Sequence, residues 1–318
     1  MGKMQVVSPG FLATVQDQGR YLCQHLGLAE AGALDKHALF WGNRLVGNKP
    51  GCSPAVEILL GNSTFTFDSA TRIAITGATM PVTLNNTPVP LWTSIPVQPG
   101  DVIRCGIASS GLRAYLTIAG GFNVPRFFNS GSTVIREQTG GNQGKKLTAG
   151  DTLSYRKQNC QPRQSTVTIW QKTPRHYIPD YDAPLTLHFF PGYHYQEFDP
   201  DSVQQCLDNR YTITQDADRM GYRLSGPVLK REGGNILSVG VPCGAIQIPA
   251  AGQPIILLND RQSTGGYPVL GVVCARDIFR LAQKRPGEQV RFAIADLYEQ
   301  QQQLHTFYQF FLQQIPGT

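Results

Sequence analysis

Three polar, glycine-flanked clusters carry the side chains in this sequence that suit acid–base or anion chemistry. Thr14-Val15-Gln16-Asp17-Gln18-Gly19-Arg20 sets an amide, a carboxylate and a guanidinium close together. Asp218-Arg219-Met220-Gly221-Tyr222-Arg223 repeats the charged part of that combination in the second half of the chain. The third cluster, Asn259-Asp260-Arg261-Gln262-Ser263-Thr264-Gly265-Gly266-Tyr267-Pro268, follows directly on the apolar run Ile255 to Leu258. A strand that ends in consecutive polar residues and then a Gly-Gly turn delivers side chains to the edge of a cleft. Its backbone N–H groups also suit an anion. The same loop reads equally as a polar turn capped by its own Asp and Thr side chains, and the residues alone leave both readings open.

The chain has none of the common nucleotide, zinc-protease, nucleophile-elbow or calcium-loop motifs. Its six histidines are dispersed, and His188 and His194, six apart around Pro191-Gly192, lack a third ligand in view. No metal site is expected, and these histidines read as structural.

The elements that must position the three clusters are mostly strands. Ser63 to Phe67 and Arg72 to Ile75 alternate polar and apolar residues, as half-buried strands do, while Val56 to Leu60 reads as a central strand. Pro99-Gly100-Asp101, Ala149-Gly150-Asp151 and Pro286-Gly287-Glu288 each place a glycine and an acid immediately before a strand. A glycine there makes the turn by tolerating positive φ, and repeated turn-strand units suit barrels or rolled sheets. Helices are predicted over Asp35 to Val46 with Gly47 as C-cap, after the Asp199-Pro200 pair, over Arg276 to Lys284, and from Asp296 to Ile315. The last reads as a helix docking on its own domain.

Gln16-Asp17-x-x-Arg20 and Gln215-Asp216-x-x-Arg219 share one pattern near the start of each half, which hints at a duplication. The expected organisation is residues 1–160 as an N-terminal unit, 161–184 as a linker with a soft boundary (a strand over Thr166 to Trp170 is possible within it), and 185–318 as a C-terminal unit with the docking helix.

Composition bounds the functional classes. With 41% hydrophobic and 16% charged residues, the 318-residue chain can bury an ordinary core. The net charge of +6 is scattered, the densest runs being doublets such as Lys145-Lys146 and Lys230-Arg231, so no nucleic-acid partner is expected. Seven dispersed cysteines without a CxxC pair point to a reducing compartment. Neither a signal peptide nor a membrane-spanning run is apparent, and the expectation is a cytoplasmic protein.

The same clusters carry a family resemblance. Thr14 to Arg20, Gly32 to Asp35, Leu45 to Asn48, Ala55 to Glu57, Arg113 to Gly121, Gly140 to Gly144, Asp218 to Leu224, Gly244 to Pro249 and Gly252 to Pro268 resemble, in order and spacing, the family of 5-oxoprolinase C subunits. That family is also described as Kip-antagonist or allophanate-hydrolase-subunit-2-like, and is related to the carboxyltransferase region of urea carboxylase. Gln18 stands where the family often has Gly and Ser263 where it often has Thr. The resemblance implies a mainly β chain with a few helices, built as two cyclophilin-like β-barrel subdomains. It also implies B-type and A-type partners from the 5-oxoprolinase complex, and the ATP-dependent opening of 5-oxoproline to glutamate by that complex. No phosphate-loop motif supports nucleotide binding by this chain, and the Ala-Met-Lys-Met type of biotin-attachment site is missing.

A lactam resists water because its amide resonance must first be broken, and ATP coupling is a remedy. Such chemistry needs cations and amides to steady anionic groups and a carboxylate to move protons. By residue type, Arg20, Arg219 and Arg261 suit the first role. Gln16, Gln247, Gln262 and Thr264 suit substrate orientation, and Asp17, Asp218 or Asp260 proton transfer, with Asp260, Gln262 and Asp218 the expected catalytic group. Of the two repeats, the second is expected to face the ligand, with Arg219 preferred over Arg20 because Arg223 and Tyr222 lie beside it. The strand-end loop that carries Asp260 and Gln262 is expected to lie outside the core. Two other functions fit the same resemblance: a carboxyltransferase-like component acting on urea or a similar amide, and a non-catalytic regulator binding a kinase-inhibitor partner.

Overall fold

The computed structural model describes residues 1–51, 53–156, 171–234 and 236–312. The possible strand over Thr166 to Trp170 and the end of the C-terminal helix beyond Leu312 lie outside the described residues. The chain forms two compact units. Unit 1 comprises residues 1–20, 31–182 and 308–318, and unit 2 comprises 21–30 and 183–307.

Unit 1 is built on two sheets. Its strands are β1 (Gly2–Ser8), β2 (Leu12–Gln16), β3 (Ala55–Leu59), β4 (Gly61–Phe67), β5 (Thr71–Thr79), β6 (Val82–Leu84), β7 (Thr87–Pro88), β8 (Ser94–Val97), β9 (Val102–Ile107), β10 (Ser110–Ile118), β11 (Phe122–Asn123) and β12 (Thr152–Tyr155). One sheet runs β11-β12-β1-β4-β9-β6-β7 and the other β2-β3-β10-β5-β8. In β4 every second residue is buried, so Phe65 and Phe67 enter the core while Asn62 faces solvent. The core they join includes Met4, Val6, Val15, Val56, Ile58, Ile73, Ile75, Ile103, Leu116 and Tyr155.

Helix α1 (Lys36–Leu45) starts where the sequence places it, because the Asp35 carboxylate accepts from the Ala38 N–H at 3.0 Å. The other Asp35 oxygen accepts from the Tyr181 hydroxyl at 2.9 Å. The Tyr115 hydroxyl accepts from the Asp35 N–H at 2.9 Å and donates to Glu57 at 2.7 Å. Burial, with Glu57 and Asp35 close by, pushes the Tyr115 hydroxyl well above its usual pKa, so it stays protonated as the donor this buried network needs. The helix ends at Leu45 with Val46 as C-cap, one residue before the Gly47 expected in that role, although Gly47 does take the left-handed conformation.

Unit 2 closes into a barrel. Its strands are β13 (Leu185–Pro191), β14 (Arg210–Ala217), β15 (Gly221–Ser225), β16 (Val239–Gly240), β17 (Ala245–Gln247), β18 (Ile255–Leu257), β19 (Thr264–Gly265), β20 (Val269–Val273) and β21 (Gln289–Ile294). The barrel order is β13-β20-β17-β18-β15-β14-β21, and β16 pairs with β19 beside it. Asp199 caps α2 (Pro200–Asp208) by accepting from the Ser202 N–H, with Pro200 at the first position. Helix α3 spans Ala275–Leu281. The final helix, α4 (Leu297–Leu312), begins in unit 2 and ends in unit 1, and within unit 1 its Phe311 packs against Phe40 and Trp41 of α1 at ring separations of 5.4 and 5.6 Å. No helix among the described residues is long and apolar enough to cross a membrane.

The chain is therefore mainly β with four α-helices among the described residues, and the second unit is a closed seven-stranded barrel.

The three glycine-acid turns share one geometry. Gly100, Gly150 and Gly287 have φ of 86°, 93° and 91°. In each, the acid accepts from the N–H three residues earlier: Asp101 from Gln98 at 2.7 Å, Asp151 from Thr148 at 2.8 Å and Glu288 from Arg285 at 2.6 Å. Each turn then grips one residue of a neighbouring strand through a pair of backbone hydrogen bonds, on Phe67, Val6 and Ile213 respectively.

Candidate functional site

The three sequence clusters have different fates. In unit 1, Gln16, Asp17 and Arg20 are buried and committed to the protein. Oδ1 of Asp17 accepts from the Gly19 N–H and from the hydroxyls of Ser130 and Ser132, and Oδ2 accepts from the Gly131 N–H. Arg20 donates through Nη2 to the Ser132 carbonyl at 2.6 Å and through Nε to the Phe127 carbonyl at 3.3 Å, with its guanidinium over the Phe127 ring. Gln16 donates to Thr14 Oγ1 and the Thr133 carbonyl and accepts from the Gly32 N–H. This cluster locks residues 127–133 onto the end of β2.

In unit 2 the counterpart opens on a cavity of about 630 Å³. Gln215, Asp216, Ala217 and Asp218 line it from the end of β14, Gly221 and Arg223 from β15, Gln247 from β17, Ile255 and Leu257 from β18, and Gln262 and Tyr267 from the loop after it. The volume lies within the ordinary range for small-molecule sites, roughly 300–1,000 Å³. Asp218 accepts from the N–H groups of Met220 and Gly221 through Oδ1, which fixes the β14–β15 turn. Among the described residues, the Arg223 guanidinium makes no hydrogen bond or ion pair, and it is exposed at the cavity. The Gln247 side chain is fully buried, and its Nε2 has no hydrogen-bond partner among the described residues.

Asp218, Gln247 and Gln262 are thus the sequence-predicted residues that line the cavity. Arg219, Asp260, Arg261 and Thr264 do not line it. Arg219 spends its fork on Asp260, with Nε to Oδ2 at 2.9 Å and Nη2 to Oδ1 at 3.0 Å, and the Asp260 N–H donates to the Arg219 carbonyl. This bidentate pair ties the β14–β15 turn to the end of β18. Arg261 is 3% exposed and donates to the Val241 and Leu258 carbonyls and to Glu30. The expectation that this loop lies outside the core is therefore corrected at its start. Asp260 and Arg261 are buried because each satisfies its charge inside the unit. Thr264 is exposed on β19.

Sequence reasoning reached Gln215 and Asp216 only through the second repeat, did not single out Tyr267 as a site residue, and gave Arg223 only a supporting place. For Arg223 a signal was available: Tyr222 and Leu224 on either side are buried, and strand alternation then turns Arg223 the other way. His188 Nδ1 pairs with Asp277 at 2.9 Å, and His194 Nδ1 accepts from the Val269 N–H.

Proteins of the same build are known. Residues 26–294 match the carboxyltransferase domain, subdomain A and B, family model. The fold is also that of a solved relative: the crystal structure of the K. lactis urea amidolyase superposes on 97% of this chain with a TM-score of 0.89 at 28% identity, covering 20% of that protein. Among curated relatives, the C subunit of Haemophilus influenzae 5-oxoprolinase is 36% identical over 90% of this chain and 89% of its own length. The C subunit of the Escherichia coli 5-oxoprolinase is 34% identical over 93% and 92%. The chain belongs to the carboxyltransferase-domain family, among the 5-oxoprolinase C subunits.

Proposed function

We propose that this chain is the C-type subunit of an ATP-dependent 5-oxoprolinase, which opens the 5-oxoproline lactam to glutamate together with A-type and B-type partners. We take the unit-2 cavity as the part of this chain that meets the substrate. The observation that carries the reading is the match to two 5-oxoprolinase C subunits along nine-tenths of their length. The cavity suits the substrate's chemistry. Arg223 offers a cation for a carboxylate, Gln247 and Gln262 offer amide groups for the lactam carbonyl, and Asp216 and Asp218 are the carboxylates within reach for proton transfer. Asp260 and Arg219 act as positioning residues.

The cavity does not suit ATP. One guanidinium shares it with two carboxylates, and a triphosphate placed there would face Asp216 and Asp218. ATP is therefore assigned to the complex, and no step on this chain is routed through it. The chain alone is expected to show no 5-oxoproline-dependent ATP hydrolysis, and glutamate should form once both partners are added. Robust turnover by the single chain would overturn the reading.

The likeness to urea amidolyase raises a second reading, transfer of a carboxyl group from carboxybiotin to urea or a similar amide. Excess avidin separates the two. A 5-oxoprolinase without biotin should keep its rate unchanged in avidin, whereas inhibition would favour the carboxyltransferase.

A further inference from the structure

The geometry points to Gly265 as a specificity-determining position. Its missing side chain makes room for the Gln247 amide to lie against β19 beside the Gln262 amide, forming a cradle in which both amides turn N–H donors to one acceptor oxygen of the ligand, a carbonyl or carboxylate oxygen. The inference rests on the proposed function only for the name of the ligand.

Three observations build the cradle. First, Gln247 sits on β17 with its side chain fully buried, and its Nε2 is unpartnered among the described residues. A buried N–H group without an acceptor is costly, and native proteins carry few of them. Second, the half-buried Gln262 side chain also makes no hydrogen bond among the described residues, and it lines the same cavity. Third, a Cβ placed on Gly265 would fall 2.4 Å from Gln247 Nε2 and 3.6 Å from Gln262 Nε2. The Gln247 amide therefore occupies the space that a side chain at this position would need, with the Gln262 amide on the same side.

The backbone does not require glycine at this position. Gly265 lies in β19, paired with Val239, and its φ is outside the left-handed region. An alanine fits the chain there and fails only against the Gln247 amide. The demand is spatial, and it is made by the cradle. Amides that turn their N–H groups to the ligand favour an acceptor oxygen, and the nearby Arg223 extends that preference to ligands with a second, anionic group.

The test is ligand-observed NMR on the full chain with 5-oxoproline, 2-pyrrolidone, urea and L-proline as probes. L-Proline keeps the ring and carboxylate of 5-oxoproline but lacks the ring carbonyl. It carries a protonated amine in place of the amide N–H, which Asp216 and Asp218 would favour, so a preference for 5-oxoproline runs against that added charge. Wild type should favour 5-oxoproline over L-proline by about tenfold or more. Gly265→Ala and Gln247→Leu should each collapse that preference. The two variants should differ from a merely structural lesion in one respect: Gln247→Leu removes an unpaired buried donor, so the ligand-free chain should melt at the same or a higher temperature. Should Gly265→Ala fail to fold, Gln247→Leu carries the test by itself. Unchanged preference in Gln247→Leu would overturn the cradle, as would a marked fall in its melting temperature. Carbonyl-dependent binding of urea or 2-pyrrolidone with no binding of 5-oxoproline would keep the cradle and overturn the 5-oxoprolinase reading. An assembled enzyme that hydrolyses 5-oxoproline equally well with both variants would keep that reading and overturn the cradle.

Discussion

Asp260→Ala is expected to lower turnover of the assembled enzyme by about 10²-fold and to lower the melting temperature of the chain as well. Asp260 receives two hydrogen bonds from the Arg219 guanidinium, and both side chains are 12% exposed. Truncating the acid leaves that guanidinium largely buried without its counter-charge. Breaking a buried pair from one side typically costs about 3–5 kcal/mol. The loss reaches activity through geometry. The pair clamps the turn carrying Asp218, Met220 and Gly221 to the loop carrying Gln262, and these residues line the cavity. A displacement of about 1 Å in such a lining is enough for a 10²-fold loss. Asp260→Asn keeps the shape and one acceptor oxygen, so it should fall between wild type and alanine in both readouts. Measuring kcat/KM beside thermal unfolding decides the matter. A large stability loss with normal turnover would show that the clamp does not position the cavity.

Asp17→Ala is expected to be the most destabilising single change in unit 1, by about 3–5 kcal/mol. Its carboxylate takes two backbone N–H groups and two hydroxyls, three of these bonds buried and the one from Gly19 partly buried, and the backbone donors have no way to rotate toward water. Each stranded donor costs roughly 1–3 kcal/mol, and hydrogen bonds to a charged acceptor are the stronger kind. Ser130 and Ser132 can turn their hydroxyls elsewhere, so the two N–H groups of Gly19 and Gly131 dominate the loss. Equilibrium unfolding in urea is the measurement. A loss below about 1 kcal/mol would mean that residues 127–133 find other partners.

The parts of this molecule legible in the sequence are those whose physics is local. Asp35 and Asp199 cap their helices because an N-cap needs only a side-chain oxygen three residues before an N–H. The glycine-acid turns are equally local and are met at all three places. The roles of the charged clusters were less legible, because their partners are distant in sequence. Apart from the Gly19 N–H, Asp17 is satisfied by residues 113 to 115 positions away, and nothing in Gln16-Asp17-x-x-Arg20 announces that it will be buried while Gln215-Asp216-x-x-Arg219 opens on a cavity. Arg219 and Asp260 stand 41 positions apart, so each read as an unengaged charge. Gly265 is least legible of all. In the sequence it is half of a Gly-Gly turn, and only the placement of Gln247 shows what its absent side chain makes room for.

The turn at Gly150 and Asp151 has a consequence for how the chain is made. It grips Val6 on β1, with the Val6 N–H donating to Asp151 and the Gly150 N–H donating to Val6. One edge of β1 is covered by β4, through Met4 opposite Phe67, but the other waits for β12. At about 5–20 residues per second on the ribosome, the stretch from Phe67 to Asp151 takes roughly 4–17 s to emerge. Throughout that interval the first strand presents a free edge, the kind of surface that recruits stray strands. Nascent chains arrested before residue 150 should therefore be the aggregation-prone species, and release from that state comes with synthesis of the turn and the four residues of β12 that follow it.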